Sequence, residues 1–397
     1  MLPENLFGMI PGYRRPLFFV VLISFCQGIS IILIPSLGLE IRSFFDPRHT
    51  DWIWSLIFVP CIGSSLIAMR AYPRVISVIG NHSAYRIGIL ANVLFFVFLY
   101  LFTCLPPETG IYLLLPAMIF QGIGFAWITA AINMRVAVYF PLNLHSGLSG
   151  VHSLFCIGAF FCPLYVEGLR HIGHWKYACI APAAVLILAA VFLEPVCSKA
   201  DEPEYKKRPV YRFEKFIYLL IFLYGIAEAI LGNWAAVFIG EVKGFPSSVV
   251  SAALSVFWIF MAAGRLSGSF LARRISRILL HSAYTIISLA GACLILISIQ
   301  PWHAVAAYAV TGLGCSVFFP FSTSLAAHAN REMDEHVSAG AITALLAGIG
   351  ISGPAAGVLL NTGSLQVDFL FVASGFIFLC LTVFICGLLI LRRDQLK

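Results

Sequence analysis

Charged residues are scarce in this sequence of 397 residues. Asp, Glu, Lys and Arg together make up 11% of it, whereas soluble globular domains carry about 25%. A chain of this length with so few charges cannot cover itself with a surface that water solvates. A soluble protein is therefore excluded as the overall architecture, and the lipid bilayer is the expected partner of most of the chain.

Signatures of enzyme chemistry are missing as well. The sequence contains no phosphate-binding loop with its lysine, no His-Glu-x-x-His pair and no Gly-x-Ser-x-Gly elbow. An intramembrane enzyme would need a clustered nucleophile and base, or metal ligands, and no such spacing is recognisable. We therefore expect no enzyme and no cofactor.

The 11 cysteines do not form the close pairs that are typical of metal sites. Cys26, Cys61, Cys156 and Cys315 lie inside apolar runs, where cysteine behaves as a small hydrophobic residue. The sequence therefore predicts neither a metal site nor a disulfide framework. An aspartate-rich or broken-helix sodium site is not recognisable either, which favours protons, or no coupling ion, over sodium.

Apolar runs of about 20 residues, the length that crosses a bilayer as a helix, recur along the whole sequence. No small-residue cleavage pattern follows the first run, so we expect it to be retained as a helix. The predicted spans 1 to 12 are residues 16–38, 52–70, 84–105, 111–135, 146–168, 176–194, 215–240, 247–271, 279–299, 303–329, 337–361 and 367–391. The sequence thus predicts an all-α integral membrane protein with twelve transmembrane helices.

Basic residues are distributed unevenly between the loops. If the N-terminus is cytoplasmic, most of the 25 Lys and Arg residues lie in cytoplasmic segments or at cytoplasmic helix ends. The outer segments keep only Arg42, Arg48, Arg170, Lys176 and Lys243. This bias predicts that both termini are cytoplasmic. It also accounts for the formal net charge of +7, so no nucleic-acid partner is expected.

One long polar segment divides the chain almost in half. Residues 197–214 carry mixed charge and two prolines, which predicts a cytoplasmic linker between six-helix bundles at residues 1–196 and 215–397. The halves also repeat, because Gly122-Ile-Gly124 in span 4 corresponds to Gly312-Leu-Gly314 in span 10. Two six-helix repeats around a central site are typical of transporters that work by alternating access.

Glu228 lies near the middle of span 7, where an ionisable side chain costs about 2.5–3.5 kcal/mol to insert. A carboxyl group removed from water tends to hold a proton, so Glu228 could bind and release the proton of a coupled transport cycle. The alternative is a protonated glutamate that only hydrogen-bonds a neighbouring helix. His152, near the cytoplasmic start of span 5, is a candidate proton partner or else a structural histidine.

Several polar and aromatic residues lie on spans that would face a central cavity. Asn233 and Trp234 offer an amide for hydroxyl groups and an aromatic face for stacking, which suits a sugar-like solute. Trp234 could instead anchor its helix at the membrane interface. The first-half candidates for substrate binding are Gln27, Gln121, Trp127, Thr129 and Asn133. Each of these could also make an interhelical hydrogen bond.

Span 8 ends in the sequence Gly264-Arg265-Leu-Ser-Gly268. The glycines permit close helix packing, and the arginine can cap a helix C-terminus or pair with an acid when the inner mouth shuts. Gly264, Arg265 and Gly268 are therefore predicted gating residues. The alternative for Arg265 is anchoring through the positive-inside effect.

These motifs resemble the major facilitator superfamily, and within it the group of fucose, galactose and glucose symporters. The resemblance spans nearly the full length and rests on Tyr224-Gly-Ile-Ala-Glu228, Gly264-Arg265-Leu, the glycine-rich span 4 leading to Asn133, His152 in span 5, and Ile32-Leu-Ile-Pro35. It implies the major facilitator fold in a bacterial inner membrane, with protons and a small-molecule substrate as partners.

The sequence departs from that group at two positions in its first half. Fucose-type symporters carry an Asp just before Ile-Leu-Ile-Pro, where this chain has Ile31, and an acid four residues before the span 4 Asn, where it has Thr129. The loop at residues 70–74 is also a poor version of the superfamily's Asp-Arg-x-Gly-Arg signature. If transport is coupled to protons, Glu228 must carry more of the coupling.

The leading hypothesis is a secondary transporter that brings in a small polar solute by proton symport. The alternative within transport is an exporter of drug-like or metabolite substrates, favoured by an aromatic content of 14% and by few buried charges. A receptor or scaffold would usually add a large soluble domain, and the longest polar segment here is a short linker. Because both halves are present in one chain, we expect a monomer.

Overall fold

The computed structural model describes residues 13–46, 50–140, 144–194, 212–271, 274–329 and 335–360, and all regular secondary structure in these ranges is helical. A 3-10 helix at Trp175–Cys179 precedes α7, and a π-helix at Ala236–Val242 follows α8. The α-helices are α1 (Arg14–Ser36), α2 (Gly38–Arg42), α3 (Thr50–Leu56), α4 (Val59–Cys104), α5 (Pro107–Tyr139), α6 (Leu144–His171), α7 (Ile180–Phe192), α8 (Arg212–Asn233), α9 (Ser247–Leu271), α10 (Arg277–Leu296), α11 (Pro301–Cys315), α12 (Phe318–Ala329) and α13 (Glu335–Leu360).

These helices coincide with the predicted spans. Within the described ranges, 9 helical segments are long and apolar enough to cross a membrane, and they overlap spans 1 to 10. One of them, Thr50–Cys104, holds both span 2 and span 3, which are separated at Gly80, where a φ of 78° interrupts the helix. Span 11 corresponds to α13. Span 12 and most of the predicted linker at 197–214 lie outside the described residues.

The chain divides into two compact units. Unit 1 comprises Met1–Ile34 and Pro60–Lys206, and unit 2 comprises Pro35–Val59 and Lys207–Lys397. The division after residue 206 falls within the segment predicted as the linker. The segment Pro35–Val59, which carries α2 and α3, comes from the first half of the sequence but belongs to unit 2.

The internal repeat is visible where glycines let helices approach each other. A Cβ atom added at Gly122 would collide with the Cys61 carbonyl oxygen, and one added at Gly312 would collide with the Phe257 carbonyl oxygen. Helix backbones come this close only where a side chain is absent. Span 4 therefore packs on span 2 in the same way as span 10 packs on span 8.

A second set of glycines joins span 1 to span 5 and span 7 to span 11. An added Cβ would meet the Phe155 carbonyl oxygen at Gly28 and the Leu345 carbonyl oxygen at Gly225. The glycines that return these contacts from the opposite helices are Gly158 and Gly348. Gly28 in unit 1 thus corresponds to Gly225 in unit 2, which gives the repeat a residue-by-residue alignment.

Span 10 is interrupted at its centre, a feature that the sequence analysis did not predict. α11 ends at Cys315, and α12 begins three residues later. The cause lies in the sequence, because Pro320 has no N–H for the Ser316 carbonyl and its ring crowds that carbonyl. The repeat places Ala130 at the position of Pro320 in the first half, and there α5 is continuous.

Candidate functional site

Glu228 lies in α8 of unit 2 and is partly accessible. Its carboxyl group is within hydrogen-bonding reach of the Tyr224 hydroxyl, one turn earlier, and interacts electrostatically with the Arg265 guanidinium on α9. The Cys315 thiol on α11 also faces these groups. α13 packs along α8 and has no titratable side chain from Val337 to Leu360. We call Tyr224, Glu228, Arg265 and Cys315 the Glu228 cluster.

The Glu228 cluster meets the break in span 10. The Tyr224 hydroxyl donates a hydrogen bond to the Cys315 carbonyl oxygen at 3.0 Å, and Arg265 Nε donates to the Ser316 carbonyl oxygen at 3.4 Å. Backbone carbonyls freed inside a membrane need such donors, because water is scarce there. The two side chains beside Glu228 therefore satisfy the backbone at the break.

All three predicted gating residues contact the break. A Cβ atom added at Gly264 would collide with Ser316 Oγ, and one added at Gly268 would collide with Val317 Cγ1. Arg265, between the two glycines, reaches the backbone of the same segment. α9 is thus pressed against the two residues that separate α11 from α12, while the gating role itself stays a prediction.

In unit 1 the predicted substrate-binding residues make neutral hydrogen bonds. Gln27 Nε2 donates to the Phe125 carbonyl oxygen and to Thr129 Oγ1, both at 3.0 Å, so the structure brings Gln27 and Thr129 together. Gln121 Nε2 donates to the Ser30 carbonyl oxygen at 2.6 Å. The bond of Gln121 joins spans 1 and 4 and commits its amide N–H to the protein.

Trp127 and Asn133 differ in how their polar groups are satisfied. Trp127 Nε1 donates to the Ala68 carbonyl oxygen at 2.9 Å, which ties span 4 to span 2. Asn133 Oδ1 is buried and has no hydrogen-bond partner within the described part of the chain. An acceptor left in this way calls for a solute or water molecule. Asn133 therefore differs from Gln121 and Trp127 in having an uncommitted polar atom in the described part, while its role in solute binding stays a prediction.

The other predicted site residues do not join the Glu228 cluster. The Asn233 carbonyl oxygen accepts a hydrogen bond from Trp54 Nε1 at 3.1 Å. Trp234 is fully buried, an environment unlike that of an interfacial anchor. His152 is exposed on α6 of unit 1, whereas Glu228 belongs to unit 2. Their roles in substrate binding and proton coupling stay predictions.

The sequence reading gave no role to Tyr224 or His281. Tyr224 could have been found from its place one turn before Glu228, where side chains meet on one helix face. His281 is buried at the start of α10, with a ring nitrogen 3.0 Å from Ser322 Oγ and its ring 4.5 Å from that of Phe318. Among the described residues, no group of His, Cys, Asp and Glu could hold a metal ion.

A second charged cluster lies at the predicted outer end of unit 2. Arg42 is 5% exposed, and its Nε and Nη2 donate to the two Glu241 carboxylate oxygens at 2.6 and 2.7 Å. Nη2 also donates to Asp51 Oδ1 at 2.8 Å. Burial lowers the pKa of Arg42, but the hydrogen bonds and charges of these two carboxylates raise it further, so the net pKa is above its ordinary value. Arg42 therefore stays charged.

Residues 16–333 match the family model described as Major Facilitator Superfamily. A relative from Yersinia pestis, an uncharacterised MFS-type transporter, is 25% identical over 259 residues. The alignment covers 64% of this chain and 67% of that protein.

Two solved transporters have a similar fold. A single-residue variant of the E. coli fucose:proton symporter FucP has a TM-score of 0.61 and 14% identity, and the match covers 94% of this chain and 99% of that one. A single-residue variant of the nucleoside transporter NupG has a TM-score of 0.68 and 13% identity, with 94% and 98% covered. At such low identity these likenesses speak for the fold alone.

Proposed function

The chain belongs to the Major Facilitator Superfamily, and we propose that it is a proton-coupled symporter of a small polar, sugar-like solute. It is a multi-pass membrane protein and a secondary transporter, not an enzyme. The observation that carries the proposal is Glu228, a partly accessible carboxyl group near the centre of span 7 with Arg265 and Tyr224 beside it. Ionisable groups at such positions mark ion and substrate pathways.

In the proposed cycle, Glu228 takes up a proton on one side of the membrane and releases it on the other. The ionised carboxylate attracts Arg265 on α9. Protonation removes that attraction, so the contacts between α8 and α9 depend on whether a proton is bound. A transporter needs such a difference between its states, because a bound ion shifts a conformational equilibrium only through unequal interactions with the two states.

Neutral groups are proposed to bind the solute. The buried Asn133 Oδ1 without a partner in the described part supports a hydroxyl-bearing solute, because an amide recognises hydroxyl groups without needing charge. Gln27 and Thr129, already hydrogen-bonded to each other, are proposed to extend this polar surface, as are Gln121, Trp127, Asn233 and Trp234. The structurally similar proteins, a fucose:proton symporter and a nucleoside transporter, fit the same chemistry.

The test is uptake of labelled sugars, nucleosides and other small polar metabolites into proteoliposomes, with and without an inward proton gradient. We expect gradient-driven uptake of at least one compound, and its loss in Glu228→Gln. The matched control is Glu194→Gln, the same substitution at a carboxylate of unit 1 that is 43% exposed. Gradient-driven uptake that survives in Glu228→Gln would remove this carboxyl group from the mechanism.

Solute exchange without a gradient provides a second readout. An amide at position 228 is neutral, as a protonated carboxyl group is, so we expect Glu228→Gln to exchange labelled for unlabelled solute while failing to accumulate it. Absence of uptake for every compound, together with extrusion driven by the opposite gradient, would favour the exporter of drug-like or metabolite substrates instead.

We also propose that the protein is a monomer of the bacterial inner membrane with both termini in the cytoplasm. The scarcity of Lys and Arg in the outer segments supports this orientation. Green fluorescent protein fused after Lys397 should fluoresce, because it matures only on the cytoplasmic side. Activity of a periplasmic reporter enzyme fused at the same place would contradict the orientation.

A further inference from the structure

We propose that Tyr224 is a positioning residue that links the protonation of Glu228 to the break between α11 and α12. The link runs through the single hydroxyl proton of Tyr224, which moves between two acceptors. This inference rests on the proposed function in one respect only, namely that Glu228 gains and loses a proton. It requires no knowledge of the solute.

The count of donors and acceptors makes the hydrogen bonds of Tyr224 depend on whether Glu228 is protonated. A tyrosine hydroxyl carries one proton and can donate one hydrogen bond. Tyr224 donates it to the Cys315 carbonyl oxygen at 3.0 Å. The Tyr224 oxygen can then only accept a bond from Glu228, and a carboxyl group can donate one only when it is protonated. An arrangement in which Tyr224 bonds both groups at once therefore requires a protonated Glu228.

Loss of the Glu228 proton to water reverses the preference of Tyr224. The ionised carboxylate can only accept hydrogen bonds, and a bond from a hydroxyl to a carboxylate is stronger than one to a neutral carbonyl. The Tyr224 hydroxyl then turns from Cys315 to Glu228. The Cys315 carbonyl, at the C-terminal end of α11, loses a donor where little water can replace it.

Arg265 acts in the same direction. Its bond to the Ser316 carbonyl oxygen is long, at 3.4 Å, so it is easily given up. An ionised Glu228 attracts the guanidinium and competes with that carbonyl. At Ser316 the backbone cannot compensate, because Pro320 has no N–H to offer that carbonyl. Ionisation of Glu228 therefore weakens both side-chain bonds to the break together.

The first half has an equivalent hydrogen-bond donor but no ionisable group beside it. Aligning Gly28 with Gly225 places Gln27 at the position of Tyr224, and Gln27 Nε2 donates to the Phe125 carbonyl oxygen, which the repeat aligns with Cys315. The position of Glu228 is taken by Ile31, which has no proton to exchange. Gln27 is therefore a matched internal control for Tyr224.

The test is hydrogen–deuterium exchange of the backbone amides of residues 312–321 in the full-length protein, measured across pH and corrected for the intrinsic exchange rate. We expect wild-type protection to fall about fivefold as pH rises through the Glu228 titration, the factor that corresponds to one hydrogen bond. Glu228→Gln should stay at the protected level at every pH, since its amide donates to Tyr224 as a protonated carboxyl group does.

Tyr224→Phe should lose the pH dependence, whereas Gln27→Leu should keep it. The phenylalanine preserves the stacking on Phe318, 4.4 Å between ring centroids, so the variant is expected to fold. Wild-type pH dependence that persists in Tyr224→Phe overturns the inference while leaving symport through Glu228 intact. Dependence that persists in Glu228→Gln, or is absent from the wild type, overturns the inference together with the titrating role of Glu228.

Infrared spectroscopy supplies an independent readout of the Tyr224 bond. The protonated carboxyl band of Glu228, identified by its loss in Glu228→Gln, should shift in Tyr224→Phe because the tyrosine oxygen no longer accepts from it. An unshifted band would contradict the proposed hydrogen bond, whatever the exchange measurements show.

Discussion

The two halves of this protein share one scaffold and differ in a few residues, of which the most important is the carboxylate Glu228 in the second half. In each half a side chain of the first repeat helix donates to a carbonyl of the fourth, through Gln27 to Phe125 and through Tyr224 to Cys315. Beside that bond, unit 2 has Glu228 where unit 1 has an isoleucine. The repeat therefore supplies the geometry, and a few replaced residues supply the chemistry.

At two further aligned positions, unit 2 has a charged or helix-breaking residue where unit 1 has an apolar one. The alignment of Cys61 with Phe257 places Met69 at the position of Arg265, so the charged pair of unit 2 is apolar in unit 1. Ala130 stands where Pro320 breaks the helix. The comparison teaches that charge and a helix break occur together in unit 2 and are both missing from the equivalent place in unit 1.

The largest effect is expected from the shared scaffold. Gly158→Leu and Gly348→Leu should each destabilise the protein by about 3 kcal/mol or more, because the new side chain would collide with a backbone carbonyl in either half. Thermal unfolding of purified protein measures this, with Gly168→Leu as the control, since no neighbouring atom lies within 4 Å of an added Cβ there. A large effect in one half alone would break the structural equivalence.

Removing the cation of unit 2 is expected to have the next largest effect. Arg265→Met introduces the residue that the first half has at this position, and it should lower gradient-driven uptake about tenfold or more. The guanidinium of Arg265 attracts Glu228 only when Glu228 is ionised, so without it the two protonation states of Glu228 would no longer differ in this interaction. Met69→Leu is the matched control and should transport normally. Equal activity of wild type and Arg265→Met would show that the charged pair is not what separates the halves.

Making span 10 a continuous helix should raise the stability of the protein and slow its transport. Pro320→Ala copies Ala130 and restores an N–H for the Ser316 carbonyl, which should raise the free energy of unfolding by about 1 kcal/mol. We expect uptake to slow several-fold at the same time, since a continuous helix cannot respond to Glu228. Unfolding and uptake are measured on the same preparation, and faster uptake would contradict the role given to the break.

The smallest effect is expected from the neutral contacts of unit 1. Trp127→Phe removes the hydrogen bond to the Ala68 carbonyl and should cost about 1 kcal/mol of stability. The ratio of uptake with and without the proton gradient should not change. If that ratio collapsed while the protein stayed folded, coupling would not be confined to unit 2.

Much of this arrangement could be predicted from the sequence, because its causes are local. Spans of the right length follow from apolar runs, and Glu228 is conspicuous as an acid in the middle of one of them. The paired glycines of spans 4 and 10 indicated the repeat, which the structure confirms through equivalent backbone contacts. The break in span 10 was missed although Pro320 gives a local reason for it.

The partners of each side chain could not be predicted, because they depend on which helices lie side by side. Gln121 and Trp127 look like substrate ligands along the chain, yet their donors are taken by the carbonyls of Ser30 and Ala68. Asn133 has the same chemistry as Gln121, but its oxygen meets no such donor in the described residues. A single sequence cannot rank these residues.

By itself the sequence determined that most of the chain is embedded in a lipid bilayer and that its helices form two related sets. It also determined that one carboxylate, Glu228, lies near the middle of a helix of the second set. Those properties depend on composition and on the order of residues along each helix. Only the tertiary structure decided that Tyr224 and Arg265 hold the two carbonyls at the break while flanking Glu228. The physical reason is that hydrogen bonds between helices depend on packing distance and rotation, which glycine contacts many residues away determine.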